Sequence, residues 1–182
     1  MIVVHPNDDT TRFLKPIYKD ISYVDLYTEK DSNSDIRRAL NHKVYPGEYI
    51  MMLGHGCEYG LYAPVSANNP FGRLIINGAH VEFLRRHTCV AVWCHANLFA
   101  EKYNLHGLFS GMIISEMTEA DWCNIPTTPE ELVAENNRLA EILRQAFTDC
   151  QKLEDIPAYI AGHAPMNTPL QRFNYHSFYY YP

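Results

Sequence analysis

The sequence has no apolar run long enough to cross a bilayer. Its longest, such as Met51–Leu53 and Cys89–Cys94, fall far short of the roughly 20 residues a spanning helix needs, so no membrane partner is expected. It also lacks any basic cluster longer than Arg85-Arg86 and carries a net charge of −6, which argues against nucleic acid as a partner. No apolar leader follows Met1. The five cysteines, Cys57, Cys89, Cys94, Cys123 and Cys150, are odd in number and form no C-x-x-C pair. A disulfide framework is therefore not expected; reduced thiols and a cytoplasmic location are. No G-x-G-x-x-G or G-x-x-x-x-G-K-[ST] segment is present, so a dinucleotide or phosphate cradle is unsupported and no cofactor is expected. There is no internal repeat, and only the tail Phe178–Tyr181 is compositionally unusual.

What is present suits one globular domain spanning residues 1–182, with 47% apolar and 13% aromatic residues to build a core. Met1–Val4, Tyr23–Tyr27, Glu48–Leu53, Cys89–Trp93 and Leu108–Ser115 read as strands. Thr10–Asp20 has helical spacing interrupted by Pro16, and Ser34–His42, Val81–Arg86 and Asn97–Tyr103 read as helices. Gly60–Val65 and Arg73–Asn77, separated by Asn68-Asn69-Pro70, read as a small hairpin. Thr128-Pro129-Glu130-Glu131 is a capping box that opens the longest helix, Pro129–Asp149. Ala158–Tyr181 reads as irregular chain with one edge strand. Strands alternating with helices predict a three-layer α/β/α sandwich with a mainly parallel sheet. In such sheets chemistry gathers beyond the carboxyl ends of the strands.

Two of those ends carry reactive groups. One delivers Gly54-His55-Gly56, and the other delivers Cys94 after a wholly apolar strand. A thiol needs a nearby base to become a good nucleophile, and imidazole is the usual one. Flanking glycines leave room for substrate backbone, and the Gly56 and Cys94 amides could face a developing oxyanion. Tyr59 and Tyr62 flank this point and could line a substrate groove. Glu116, after the strand ending at Ser115, could orient His55 or line a specificity pocket.

The stretch YIMMLGHGCEYGLYAP…RLIINGAHVEFLRRHTCVAVWCHA resembles the core of the caspase-like (clan CD) cysteine peptidases, and FSGMIISEM is similar to the strand that follows there. In that family a strand leads into His-Gly, then a short hairpin, a helix and a strand ending at the catalytic cysteine. The resemblance covers roughly residues 1–117, leaving 118–182 as the long helix and an irregular C-terminal segment. It implies a caspase-like fold, a peptide or protein substrate or partner, His55 as base, Cys94 as nucleophile and Gly56 as an oxyanion donor. The opening HP-x-D-x-T-x-x-F-L is similar to that of a narrower group of bacterial proteins of like length. The family sets Gln-Ala before its cysteine and Gly one residue beyond it. This chain has Val92-Trp93 before Cys94 and His95-Ala96 after it. That departure keeps a second expectation open, a binding or adaptor domain without turnover.

Two further readings stay open. His55, Cys57, Cys94 and His95 could form a metal cluster, although their spacing is not that of structural zinc sites and no metal is expected. Asp8 and Asp9 read as caps of the helix that follows the first strand.

Overall fold

A computed structural model describes residues 1–6, 8–64 and 72–182. In chain order its elements are β1 (Ile2–Val4), β2 (Asp25–Tyr27), α1 (Asn33–His42), β3 (Ile50–Leu53), β4 (Gly56–Cys57), β5 (Gly60–Ala63) and β6 (Arg73–Ile76). There follow α2 (Val81–Leu84), β7 (Cys89–Val92), α3 (Ala96–Tyr103), β8 (Gly107–Ser110), α4 (Met117–Trp122), α5 (Pro129–Asp149), α6 (Ile156–His163), α7 (Pro169–Tyr175) and β9 (Phe178–Tyr181). No helix among the described residues is long and apolar enough to cross a membrane.

The main sheet runs β2-β1-β3-β7-β8-β9, parallel except for the antiparallel β9 at its edge. Strands β3, β7 and β8 are buried along their whole length, as a sheet covered on both faces requires. Alternate residues feed two separate cores. Ile2, Val4, Ile50, Met52, Cys89, Ala91 and Phe109 face α1, α2 and α3. Val3, Met51, Leu53, Val90, Val92 and Leu108 face α5, α6 and the turn before β2. The chain is therefore three-layered, with a mainly parallel sheet at its centre. Connections running from β2 toward β8 cross one face, and the β1-to-β2 connection crosses the other. Strand order reverses between β1 and β3, the point at which open α/β sheets form a crevice beyond the carboxyl ends.

Several local expectations change. The helix expected over Thr10–Asp20 is a 3₁₀ turn, Arg12–Ile17, with Pro16 inside it. Proline removes an amide donor and disfavours the longer α pattern. The strand expected to reach Ser115 stops at Ser110, where Gly111 donates instead to the Ser177 carbonyl. The hairpin gains a third strand, β4, paired with β5. The loop read over Asn68–Asn69–Pro70 lies outside the described residues. The long helix has the expected bounds, and Thr128 accepts from the Glu131 amide. The box does not close reciprocally, because Glu131 takes the Thr127 hydroxyl at 3.1 Å.

The C-terminal segment, expected to be irregular, contains α6 and α7 before the expected edge strand. Polar contacts bind α7 to α5. The buried Glu135 carboxylate accepts from Tyr175 Oη and Gln171 Nε2, both at 2.9 Å, and pairs with Arg138. Asn174 bonds both the amide and the carbonyl of Ile114, at 2.8 and 2.9 Å.

Two buried histidines give the fold an acid limit. Burial pushes His5 and His80 down to about 4, and each leaves Nε2 without a hydrogen-bond partner among the described residues. The unfolded chain would take up those protons near pH 6.5, so their stabilising share is complete above that value. It is lost as pH falls toward about 4, by on the order of a few kcal/mol in total. Thermal unfolding from pH 7 to 4 checks this. A His80→Gln variant is expected to lose less stability over that range than the wild type.

Candidate active site

His55 leaves β3 and Cys94 leaves β7, its hydrogen-bonded parallel neighbour, so both side chains emerge at one sheet edge. The turn carrying the thiol is fixed from three sides. Gly54 donates to the Val92 carbonyl at 3.0 Å. Ser110 Oγ accepts from the Trp93 amide at 2.9 Å and donates to the Trp93 carbonyl at 2.8 Å. His95 adopts a left-handed conformation (φ 66°) while its amide donates to the Gly111 carbonyl at 3.1 Å. A non-glycine residue held there carries local strain next to the thiol.

The Cys94 thiol donates to the Ile113 carbonyl at 3.2 Å and lies 3.7 Å from Glu119 Oε1. His55 Nδ1 lies 4.0 Å from the same oxygen. Glu119, at the third position of α4, is thus the group on which imidazole and thiol converge. It is 7% exposed, and its other oxygen accepts from the Ser115 amide, the Ser115 hydroxyl and the Glu116 amide at 2.7, 3.0 and 3.1 Å. Burial, followed by the Glu119 charge, pushes the Cys94 thiol up to about 12. The resting sulfur is therefore a thiol.

The outer nitrogen of the ring, Nε2, lies 2.7 Å from Thr10 Oγ1. Thr10 comes from the segment after β1, which neighbours β3. Asp8 does not cap a helix as expected. Its Oδ1 accepts from the Thr10 amide at 2.9 Å and from the Thr10 hydroxyl at 2.6 Å. Asp9 pairs with Arg12.

The remaining expected residues fall around this centre. Gly56 lies in β4 beneath the buried Trp93 indole; a Cβ there would come within 2.2 Å of Trp93 Cδ1. The glycine has a packing reason, and the indole Nε1 closes the contact by donating to the Cys57 carbonyl at 3.1 Å. Trp93 therefore clamps the hairpin. Tyr62 Oη donates to Cys57 Sγ at 3.1 Å, and Tyr59 lies under the Lys102 ammonium at 4.9 Å. Neither tyrosine lines the cavity at the thiol. Glu116 caps α4 and borders an open groove of about 280 Å³ shared with Thr10, Phe13, Ser115 and Val133. Glu119, three residues on, is the carboxylate that faces His55.

Between His55, Cys94, Phe13 and Ile113 lies a cavity of about 20 Å³, room for one water. It shares Phe13 and Ser115 with the larger groove. Of the four residues weighed as a metal cluster, Cys57 accepts at Sγ from the Tyr62 hydroxyl at 3.1 Å and the Tyr59 amide at 3.5 Å. Among the described residues no group of three or more histidine, cysteine or acidic side chains is arranged to hold an ion. All five cysteines are free.

No sequence signal marks Glu119 beyond its spacing from Glu116, and none marks Thr10 as a partner of His55. No family model matches the chain, and no curated protein matches it.

Proposed function

We propose that this chain is a caspase-like cysteine hydrolase acting on peptide bonds, with Cys94 as nucleophile and His55 as base. The observation that carries this reading is the convergence of His55 Nδ1 and Cys94 Sγ on one Glu119 oxygen, at 4.0 and 3.7 Å, from adjacent parallel strands. The order of strand, His-Gly, antiparallel hairpin, helix and strand-Cys supports it too.

Because the sulfur rests as a thiol, its proton leaves as the attack proceeds. The S–H proton passes to His55 Nδ1 while the S–C bond forms, and the imidazolium then protonates the departing amine. Water hydrolyses the thioester with His55 again as base. The Cys94 amide, from which no described residue accepts, and the Gly56 amide are the oxyanion donors of this reading.

A binding domain without turnover is the second reading. It is favoured by the narrow cavity and by the thiol raised to about 12. Iodoacetamide labelling near pH 7.5, followed residue by residue, separates the two. His55→Ala is expected to slow Cys94 labelling at least about tenfold and leave Cys150, the internal control, unchanged. Equal rates at Cys94 in both proteins would remove His55 as its base and leave the binding domain.

A further inference from the structure

We propose that Thr10 and Asp8 are positioning residues that fix the tautomer of His55, so that its basic lone pair faces Cys94. The inference deepens the dyad reading and rests on it for its catalytic meaning.

The Thr10 hydroxyl has one proton and two close neighbours. Asp8 Oδ1 is 2.6 Å away, and an ionised carboxylate can only accept. The hydroxyl proton therefore goes to Asp8. The contact to His55 Nε2 at 2.7 Å then requires the ring to donate, Nε2–H to Thr10 Oγ1. In the neutral ring this leaves the lone pair on Nδ1, the nitrogen 4.0 Å from the Glu119 oxygen beside the thiol. A ring in the other tautomer would carry its proton on Nδ1, toward the Glu119 oxygen that the thiol also approaches, and that nitrogen could not take a proton from sulfur. The dyad therefore needs the tautomer that this outer chain selects.

The chain is set before any ligand arrives. Asp8 Oδ1 also accepts from the Thr10 amide at 2.9 Å, and the Thr11 amide donates to the Asp8 carbonyl at 3.3 Å. Both bonds close the turn that aims the Thr10 side chain. The turn follows β1 at the point where strand order reverses, beside the end of β3. Asp8 and Thr10 are the D and T of the HP-x-D-x-T opening, so that pattern has a geometric reason in this chain.

Nitrogen chemical shifts of isotopically labelled histidine test the inference directly, with or without turnover. In the wild type, the neutral His55 ring should show a protonated Nε2 and an unprotonated Nδ1. Thr10→Val, which keeps shape and loses the hydroxyl, should move the two shifts toward each other as the tautomers mix. It should also slow Cys94 alkylation by about threefold or more, since a fraction of rings then carries the proton on the wrong side. Thr10→Ser should restore both readings. A wild-type ring protonated on Nδ1, or a Thr10→Val spectrum identical to that of the wild type, would overturn the relay. If the shifts follow Thr10 while His55→Ala leaves Cys94 labelling unchanged, the relay stands and the dyad reading falls.

Discussion

Glu119→Gln is expected to make Cys94 about threefold more reactive toward iodoacetamide near pH 8, although it removes a carboxylate from the site. Burial is the larger cause of the raised thiol and survives the substitution; the charge 3.7 Å away is the next and does not. Each unit by which the thiol falls gives tenfold more thiolate and costs about threefold in nucleophilicity, so the net change is an acceleration. The sign follows from charge repulsion alone. A neighbouring anion disfavours a second anion, and a neutral amide does not. The pH–rate profile should shift to lower pH by the same amount. Glutamine retains one acceptor for the Ser115 and Glu116 amides, and circular dichroism with thermal unfolding verifies that α4 is intact. A folded Glu119→Gln protein in which Cys94 reacts no faster, or more slowly, would mean that the carboxylate aids the thiol rather than restraining it. On the hydrolase reading Glu119 also faces the imidazolium formed during attack, so the same substitution should lower turnover while raising simple alkylation. Opposite movement of the two rates distinguishes a role in the reaction from a packing defect.

Gly60→Ala is expected to destabilise the protein by more than about 3 kcal/mol. Gly60 opens β5 with φ at +143°, where L side chains strain the backbone. A Cβ there would stand 1.9 Å from the Ile76 carbonyl oxygen and 2.9 Å from its carbon, both main-chain atoms of β6. A backbone contact cannot be relieved by a rotamer change, so the strands must separate. The hairpin they form is the segment between His55 and α2, and Tyr62 donates from it to the His55 carbonyl at 2.8 Å. Loss of the pairing therefore also releases the His55 backbone. Urea denaturation measures the change. Gly162→Ala serves as control: it lies in α6 with nothing within 4 Å of its Cβ position. It should be neutral or stabilising by up to about 1 kcal/mol. A loss of under about 1 kcal/mol for Gly60→Ala would show that β5 and β6 can part without cost.

The sequence by itself determined the elements whose burial leaves a periodic trace. Apolar runs at Ile50–Leu53 and Cys89–Val92 mark strands covered on both faces, and Thr128-Pro129 sets the start of α5. The alternation of strand and helix fixed the α/β class. The apolar strands ending at Gly54-His55 and Cys94 made those two residues the candidates. Tertiary structure alone decided what completes the site. Thr10 meets His55 across 45 residues because β1 pairs with β3, and strand pairing over such a span has no local signature. Glu119 was hidden by the apolar Ile113-Ile114 pair, which reads as strand but is irregular chain held through Asn174. Helix α7 leaves little periodic trace in the sequence. Much of what docks α7 is hydrogen bonding among Glu135, Gln171, Asn174 and Tyr175. A polar side chain buried with its partner satisfied leaves no hydrophobic period to read.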